Sequence, residues 1–400
     1  MKRMIHSVCV VALALAGRAL AAPPAEDSIP RVLLDMALKP SVVRLISITS
    51  DSILVRDEAG KPVTYPRSRV AALLPVLESF ANGPIELDTS AGLASPPGRL
   101  ELVSGELLPG RLSTQEAPGE KLAWESLVWG RVELPLDQAG FVLLAPTSAL
   151  ASRRPIATSD AAILANGDSL EGFVAGLGAK LLLERDHATS ELPIDRVVSV
   201  SFANPVKPVG GAWAWLHNGS AVSISKIELS AAGDVTIAGT QTPAPNATLR
   251  VGELRALVFQ SARVVPLSSL GLQIVPAPGE RRWTPPAVVG DARLAPAFAA
   301  EIELPGPMTV RWALPRGAAR VGGQAELPPS CRVWGDCELL IGVPGGTPTR
   351  VKLNAENPVV SFSVELNAGA EQLEISIDPG PSGPVQDRVV IRRGLVVVGR

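Results

Sequence analysis

Apolar and polar positions alternate along most of this chain with the period of two that half-buried strands require. The pattern is clear in RLISITSDSILV (Arg44–Val55), in GDSLEGFVAGLGAKLLLERD (Gly167–Asp186) and in SFSVELNAGAEQLEISIDPG (Ser361–Gly380). In the last of these it turns Phe362, Val364, Leu366, Leu373, Ile375 and Ile377 toward one face. The runs are short, rich in Val, Leu and Ile, and bounded by Gly, Pro and Asn, which predicts an all-β chain. One stretch breaks the pattern. SRVAALLPVLESFANG (Ser68–Gly83) reads as a short helix capped by Ser68, although Pro75 falls inside it.

The alternation repeats on a longer scale. LVSGELLPGRL (Leu102–Leu112) and LANGDSLEGFV (Leu164–Val174) share Leu-x-x-Gly-acid-x-Leu-x-Gly-x-aliphatic, and LHNGSAVSISKI (Leu216–Ile227) is a looser copy. Each is followed by a second shared piece: ELPLDQAGFVLL (Glu133–Leu144), ELPIDRVVSVSF (Glu191–Phe202) and TLRVGELRALVF (Thr248–Phe259). A diverged first copy combines Arg44–Val55 with TYPRSRVAALLP (Thr64–Pro75). Asn166-Gly167 and Asn218-Gly219 predict type I′ hairpin turns. Units of this size with four or five strands fit small, strongly bent SH3-like or Sm-like barrels better than propeller blades. After Gly271 the repeat grammar stops and evenly spaced strand runs continue to the C-terminus, the pattern of a two-sheet antiparallel, jelly-roll-like sandwich. The organisation expected is a signal peptide over 1–21, a diverged β-repeat with the short helix over 22–93, further repeats over 94–150, 151–206 and 207–264, and the sandwich over 265–400.

The N-terminus carries Lys2 and Arg3, an apolar run from Val8 to Leu15, and a small-x-small site at Ala19-Leu20-Ala21. That arrangement is an export signal, and an exported protein with no transmembrane span after cleavage is expected. The formal net charge of −2 gives no electrostatic footprint for nucleic acid. Cys9 leaves with the signal, so Cys331 and Cys337 remain in SCRVWGDCELLIGV. An even pair in an oxidising compartment suggests a disulfide, formed if VWGD turns the chain back as a hairpin; two buried reduced thiols are the alternative.

Candidate chemistry is thin. His187 and His217 are the histidines of the mature chain, both in loop-like contexts, and no nucleotide-binding loop or zinc-protease motif is present. No cofactor and no metal are expected. The carboxylates Glu106, Asp168, Glu171, Asp137 and Asp195 are candidates for paired acid–base work on glycosides. Glu106 and Asp168 occupy one place in successive units, as do Asp137 and Asp195, so they read as solvated turn residues. The pairs Trp124/Trp129 and Trp213/Trp215 read as barrel core, the second pair sharing one strand face.

LANGDSLEGFV, KLAWESLVWGRVELPLDQ (Lys121–Gln138), VFQSARVVPLSSL (Val258–Leu270) and the tail VVSFSVELNAGAEQLEISIDPGPSGPVQDRVV (Val359–Val390) together resemble exported planctomycete proteins. Those join short β-repeats to a carbohydrate-binding sandwich of the NPCBM type. The resemblance implies glycan or envelope-protein partners and an all-β fold. Asp387 matches the family's terminal Asp, whereas Ile391 stands at its Trp position and ARLAPAFAAEIEL lacks its Gly-rich, His-bearing stretch. Sugar sites use aromatic platforms with polar partners, which makes Trp283, Trp312, Trp334 and Asp387 the candidate glycan contacts. The function expected is a non-enzymatic binding or assembly protein of the cell envelope. The alternatives are a ligand-free structural repeat protein and a glycan-processing enzyme with an acidic pair.

Overall fold

The computed structural model describes residues 29–76, 98–113, 120–144, 158–230, 232–240, 246–276, 285–289, 300–380 and 383–399. The signal sequence, Trp283 and residues 77–83 of the expected helix lie outside the described residues. Among the described residues all regular structure beyond single 3₁₀ turns is strand, as the alternation predicts, and no helix there is long and apolar enough to cross a membrane.

One order of elements occurs four times. The first unit has β1 (Arg31–Asp35), β2 (Pro40–Ile48), β3 (Ser52–Asp57), β4 (Pro62–Pro66), a 3₁₀ turn (Arg67–Arg69) and β5 (Val70–Pro75). The second has β6 (Gly98–Leu102), β7 (Leu107–Leu112), β8 (Lys121–Ser126), β9 (Gly130–Pro135), a turn (Leu136–Gln138) and β10 (Ala139–Leu143). The third has β11 (Asp160–Leu164), β12 (Ser169–Leu177), β13 (Lys180–Arg185), β14 (Ala188–Pro193), a turn (Ile194–Arg196) and β15 (Val197–Ser201). The fourth has β16 (Ala212–Leu216), β17 (Ala221–Leu229), β18 (Asp234–Gly239), β19 (Ala247–Arg250), a turn (Val251–Glu253) and β20 (Leu254–Val258). In each unit the first strand pairs antiparallel with the second and the fifth, the second with the third, and the third with the fourth.

The shared sequence pieces have direct structural causes. Pro66, Pro135 and Pro193 end the fourth strand with φ fixed at −57°, which aims the chain into the 3₁₀ turn. The first glycine of the repeated motif closes the opening hairpin: Gly105, Gly167 and Gly219 have φ of +92°, +90° and +86°. Their amides bond back to Leu102, Leu164 and Leu216, whose own amides bond forward to Glu106, Asp168 and Ser220. This is a three-residue loop with a left-handed glycine and a bulge, not the type I′ turn expected, because Asn166 and Asn218 keep negative φ. Their side chains instead accept from the amides of Asp168 (3.1 Å) and Ser220 (3.0 Å). The two-residue loop with both φ positive lies at Asp186-His187, between the paired Arg185 and Ala188.

The expected helix is not formed at its start. Ser68 belongs to the 3₁₀ turn, and Val70–Leu74 are buried in β5. β5 has β1 on one side and β20 on the other, so both its edges and both its faces are covered. A strand in that position carries a continuous apolar run instead of an alternating one.

Beyond the units, β21 (Val264–Pro266), β22 (Leu272–Val275), β23 (Ala287–Val289), β24 (Glu301–Pro305), β25 (Met308–Ala313), β26 (Ala318–Glu326), β27 (Cys337–Gly342), β28 (Thr349–Leu353), β29 (Val359–Glu365), β30 (Gln372–Pro379) and β31 (Arg388–Val398) form an antiparallel sandwich. One sheet runs β23-β24-β31-β26-β29, with β21 also on β31; the other runs β22-β25-β30-β27-β28. Its core includes the predicted Phe362, Val364, Leu373, Ile375 and Ile377, with Leu366 packed against it.

The sandwich is docked on the first and fourth units. Leu395 and Val397 of β31 join a cluster with Val32, Leu34, Leu38, Ala72 and Val258. Ser363 Oγ donates to the Ala37 carbonyl at 2.6 Å, and an Arg393 guanidinium nitrogen donates to that of Pro75 at 3.1 Å. Gly322 makes room for Leu38, since an added Cβ would lie 2.9 Å from the leucine Cβ.

Candidate functional site

Trp334 is brought to one end of the sandwich by a loop held at both ends. Before it, a 3₁₀ turn (Pro329–Cys331) follows β26, and Arg332 Nε donates to the Leu327 carbonyl at 3.0 Å. A second nitrogen of Arg332 meets buried Glu326 at 2.8 Å, whose other oxygen lies 3.3 Å from Arg392 of β31. After it, the Gly335 amide returns to the Cys331 carbonyl at 2.8 Å. A side chain at 335 would collide with that carbonyl (2.6 Å) and with the Gln386 carbonyl (3.0 Å), so the close approach of the two loops requires glycine. The second loop is tied again where the Gly380 amide donates to the Asp336 carbonyl at 2.7 Å.

On this frame Trp334 is 64 % exposed, beside exposed Val333, and Val385 is exposed on the facing loop. Fixed backbone on both sides of Trp334 and an outward indole make it a candidate contact. Aromatic rings usually bury most of their area, and the Arg332 and Gly335 contacts leave Trp334 outside.

The other sequence candidates are placed differently. Trp312 is 1 % exposed in the sandwich core, because it alternates inward on β25 between Leu272 and Leu373; it is not a ligand contact. Asp387 is 2 % exposed, beneath the same pair of loops, so its carboxylate does not meet an external sugar either. Its oxygens have no hydrogen-bond partner, and burial pushes its pKa up to about 6. The Asp336 backbone approaches without completing hydrogen-bond geometry and offsets part of that cost, while the Asp336 charge adds to it.

Cys331 and Cys337 are free, buried thiols. The hairpin that a disulfide needed is not formed: Cys331 closes the 3₁₀ turn, while Cys337 opens β27 between Leu353 and Pro379. Burial, with Asp387, Asp336 and Cys331 nearby, pushes the Cys337 thiol up to about 12, so it stays protonated and is a poor nucleophile at neutral pH.

The repeated carboxylates do not converge. Asp168 and Glu171 are exposed on the third unit, and Asp137 and Asp195 are exposed on separate 3₁₀ turns. Glu106 departs from the solvated role expected of it. It is fully buried between the second and fourth units, where Oε1 accepts from the Ser223 amide and hydroxyl (both 2.9 Å) and Oε2 from Ser104 Oγ (3.1 Å). Burial raises its pKa and these hydrogen bonds partly restore it. The contact is made because Leu107 pairs with Ala221, its counterpart in the fourth unit, and a single-unit motif carries no signal for that docking.

Asp387 makes stability depend on pH. Its folded pKa lies above the 3.8 of the free side chain, so its contribution to stability is full below about pH 4 and lost as pH rises through about 6. Asp387→Asn therefore melts like the wild type near pH 4 and gains about 3 kcal/mol over it above pH 6. Thermal melts of both proteins across that range check the expectation; a constant difference would remove the carboxylate as its cause.

No protein-family model matches the chain, and no curated protein does. Among solved structures it is similar to a CBM51-2 and INT domain structure in complex with GlcNAc from Clostridium perfringens ZmpB (TM-score 0.28, 10% identity, 44% of this chain and 38% of that chain). It is similar too to the CBM51 from Clostridium perfringens GH95 in complex with methyl-galactose (TM-score 0.27, 9% identity, 33% of this chain and 99% of that one). A third is the tandem CBM51 modules of the family 98 glycoside hydrolase of Streptococcus pneumoniae SP3-BS71 (TM-score 0.29, 8% identity, 60% and 88% covered). The chain spans little more than a third of the length of the first of these, and none of the three likenesses assigns it a ligand.

Proposed function

We infer that this is an exported, non-enzymatic binding protein of the cell envelope, in which the barrel units form a scaffold and the sandwich presents a glycan contact at Trp334. The observation that carries the reading is the exposed indole of Trp334, next to exposed Val333 in the chain, on a loop fixed by Arg332, Gly335 and Asp336. A flat apolar ring carried outward on a fixed loop stacks on a sugar face without first losing loop freedom. The non-enzymatic part is supported by the dispersal of the repeated carboxylates over separate units and by the protonated state of Cys337.

The test is retention of the purified full chain on a panel of polysaccharides by affinity electrophoresis, with Trp334→Ala as the variant. Retention by at least one polysaccharide is expected, reduced about tenfold or more in the variant, as for an aromatic hot spot. The melting temperature should stay unchanged, since Trp334 supports little of the core. A wild-type chain that migrates freely through every polysaccharide ends the glycan reading.

A further inference from the structure

Between the second and third units lies a cleft of about 390 Å³ whose aromatic and charged side chains are open to solvent. Leu136 and Phe202, both buried, give it an apolar floor. Phe173 stands out from one wall, 60 % exposed, because alternation along β12 turns its neighbour Val174 into the core. The strand is held at that point. The Asp160 carboxylate accepts from the Val174 amide at 2.9 Å and from the Ala203 amide at 2.7 Å.

The groups around the ring are mostly acceptors. Glu120 and Asp137 line the wall supplied by the second unit, and both are exposed. Glu184 lies directly across from Phe173 on β13, so the two side chains leave the same face of the sheet, and Glu184 is exposed too. None of these three carboxylates is engaged by another described residue. The Asn204 amide nitrogen donates to the Leu136 and Ala139 carbonyls at 2.8 Å each, which leaves its oxygen as a further acceptor. Lys121 is the one cation of the lining.

An aromatic face attracts cations, and acceptors of net negative charge select a ligand that brings donors and positive charge. Carboxylates on both sides of the ring fit two such charges joined by an apolar chain. The volume lies toward the lower end of the roughly 300–1,000 Å³ of small-molecule sites. We propose that this cleft binds a linear aliphatic diamine, its chain against Phe173, one ammonium group at Asp137 and Glu120 and the other at Glu184. This site is independent of the glycan contact at Trp334.

The probe is cadaverine, a five-carbon diamine, titrated calorimetrically into the full-length protein. Saturable 1:1 binding is expected at an ionic strength of about 0.01 M, weakened several-fold at about 0.1 M, where exposed charges are better screened. Pentanediol, the uncharged counterpart, should not bind. Phe173→Ala should weaken cadaverine binding about two- to fivefold, the range of an exposed cation–π contact. Asp137→Asn should weaken it by a similar factor, and Lys121→Gln should tighten it about twofold by removing the competing cation. All three positions are exposed, so melting temperatures should stay at the wild-type value. Trp334→Ala should bind cadaverine as the wild type does, which separates this site from the glycan reading. Failure to saturate, equal affinity for pentanediol, wild-type affinity in Phe173→Ala or weaker binding in Lys121→Gln overturns the proposal.

Discussion

Glu106→Ala is expected to destabilise the protein by about 3 kcal/mol, whereas Glu106→Gln should change its stability by less than about 1 kcal/mol at neutral pH. The alanine leaves the Ser223 amide, the Ser223 hydroxyl and the Ser104 hydroxyl without their acceptor in a site closed to water. An unmet buried donor costs more than a made hydrogen bond contributes, and here one side chain serves three. Glutamine keeps an oxygen for Ser223 and turns its amide toward Ser104, so the geometry survives without the charge. The two variants also separate by pH. Burial raises the folded pKa of Glu106, so its contribution is full below the unfolded value and falls as pH rises through the folded one. Relative to wild type, the glutamine variant should therefore gain stability as pH increases. Urea unfolding of the three proteins at several pH values reads both effects. An alanine variant as stable as the glutamine one would mean that the junction between the second and fourth units does not depend on this carboxylate.

The fifth strands explain why the units are assembled in pairs. Each is covered on one edge by the first strand of its own unit, leaving the other edge free, and a free apolar edge invites aggregation. β5 pairs with β20 and β10 with β15, each time across the fourth residue of both strands: Leu73 faces Leu257, and Val142 faces Val200. The first unit thus joins the fourth, and the second joins the third, in one shared register. Edge coverage, repeated with the same geometry, turns four small units into two closed pairs, and the Glu106 contact then links one pair to the other.

That arrangement also sets the limit of what is legible from the residues. Alternation within a unit is local, so strands, hairpin corners and the inward faces of Val174, Phe362 and Ile375 can be read directly. The run VAALLP is ambiguous by itself; only its position between β1 and β20 makes it a strand. Glu106 and Asp168 share a motif position, yet one is buried and the other solvated, because the difference lies in what docks against the turn. The site candidates divide for a similar reason. Period two places Trp312 inward on β25, but the exposure of Trp334 depends on a loop closed by Gly335 and on Arg332 reaching Glu326 across it. Asp387 matched a sequence expectation while being covered by those same loops.

Gly110→Ala is expected to cost about 3 kcal/mol or more, although it adds a single methyl group. Gly110 is the second glycine of the repeated motif, and its role differs from that of the turn glycine before it. It has no positive φ. What it supplies is room: a Cβ there would overlap the Glu125 carbonyl oxygen of β8 and lie 2.6 Å from Trp124 Nε1. Neither neighbour can retreat cheaply. The Glu125 carbonyl is backbone in a paired strand, and Trp124 is fully buried, with its indole N–H donating to the Leu108 carbonyl at 3.0 Å. Accommodating the methyl group would force β7 and β8 apart or push Trp124 from its place, losing the hydrogen bond and opening a void. The third unit repeats the constraint at Gly172, where an added Cβ would lie 2.6 Å from the Glu184 carbonyl oxygen. Gly178 is the control, since it has no neighbour within 4 Å of an added Cβ and no positive φ. Gly178→Ala should be neutral or stabilise by up to about 1 kcal/mol through the unfolded chain. Denaturant melts of the two alanine variants beside wild type decide the matter, and a Gly110→Ala variant no less stable than Gly178→Ala would mean that β7 and β8 are not packed as closely as the structure places them.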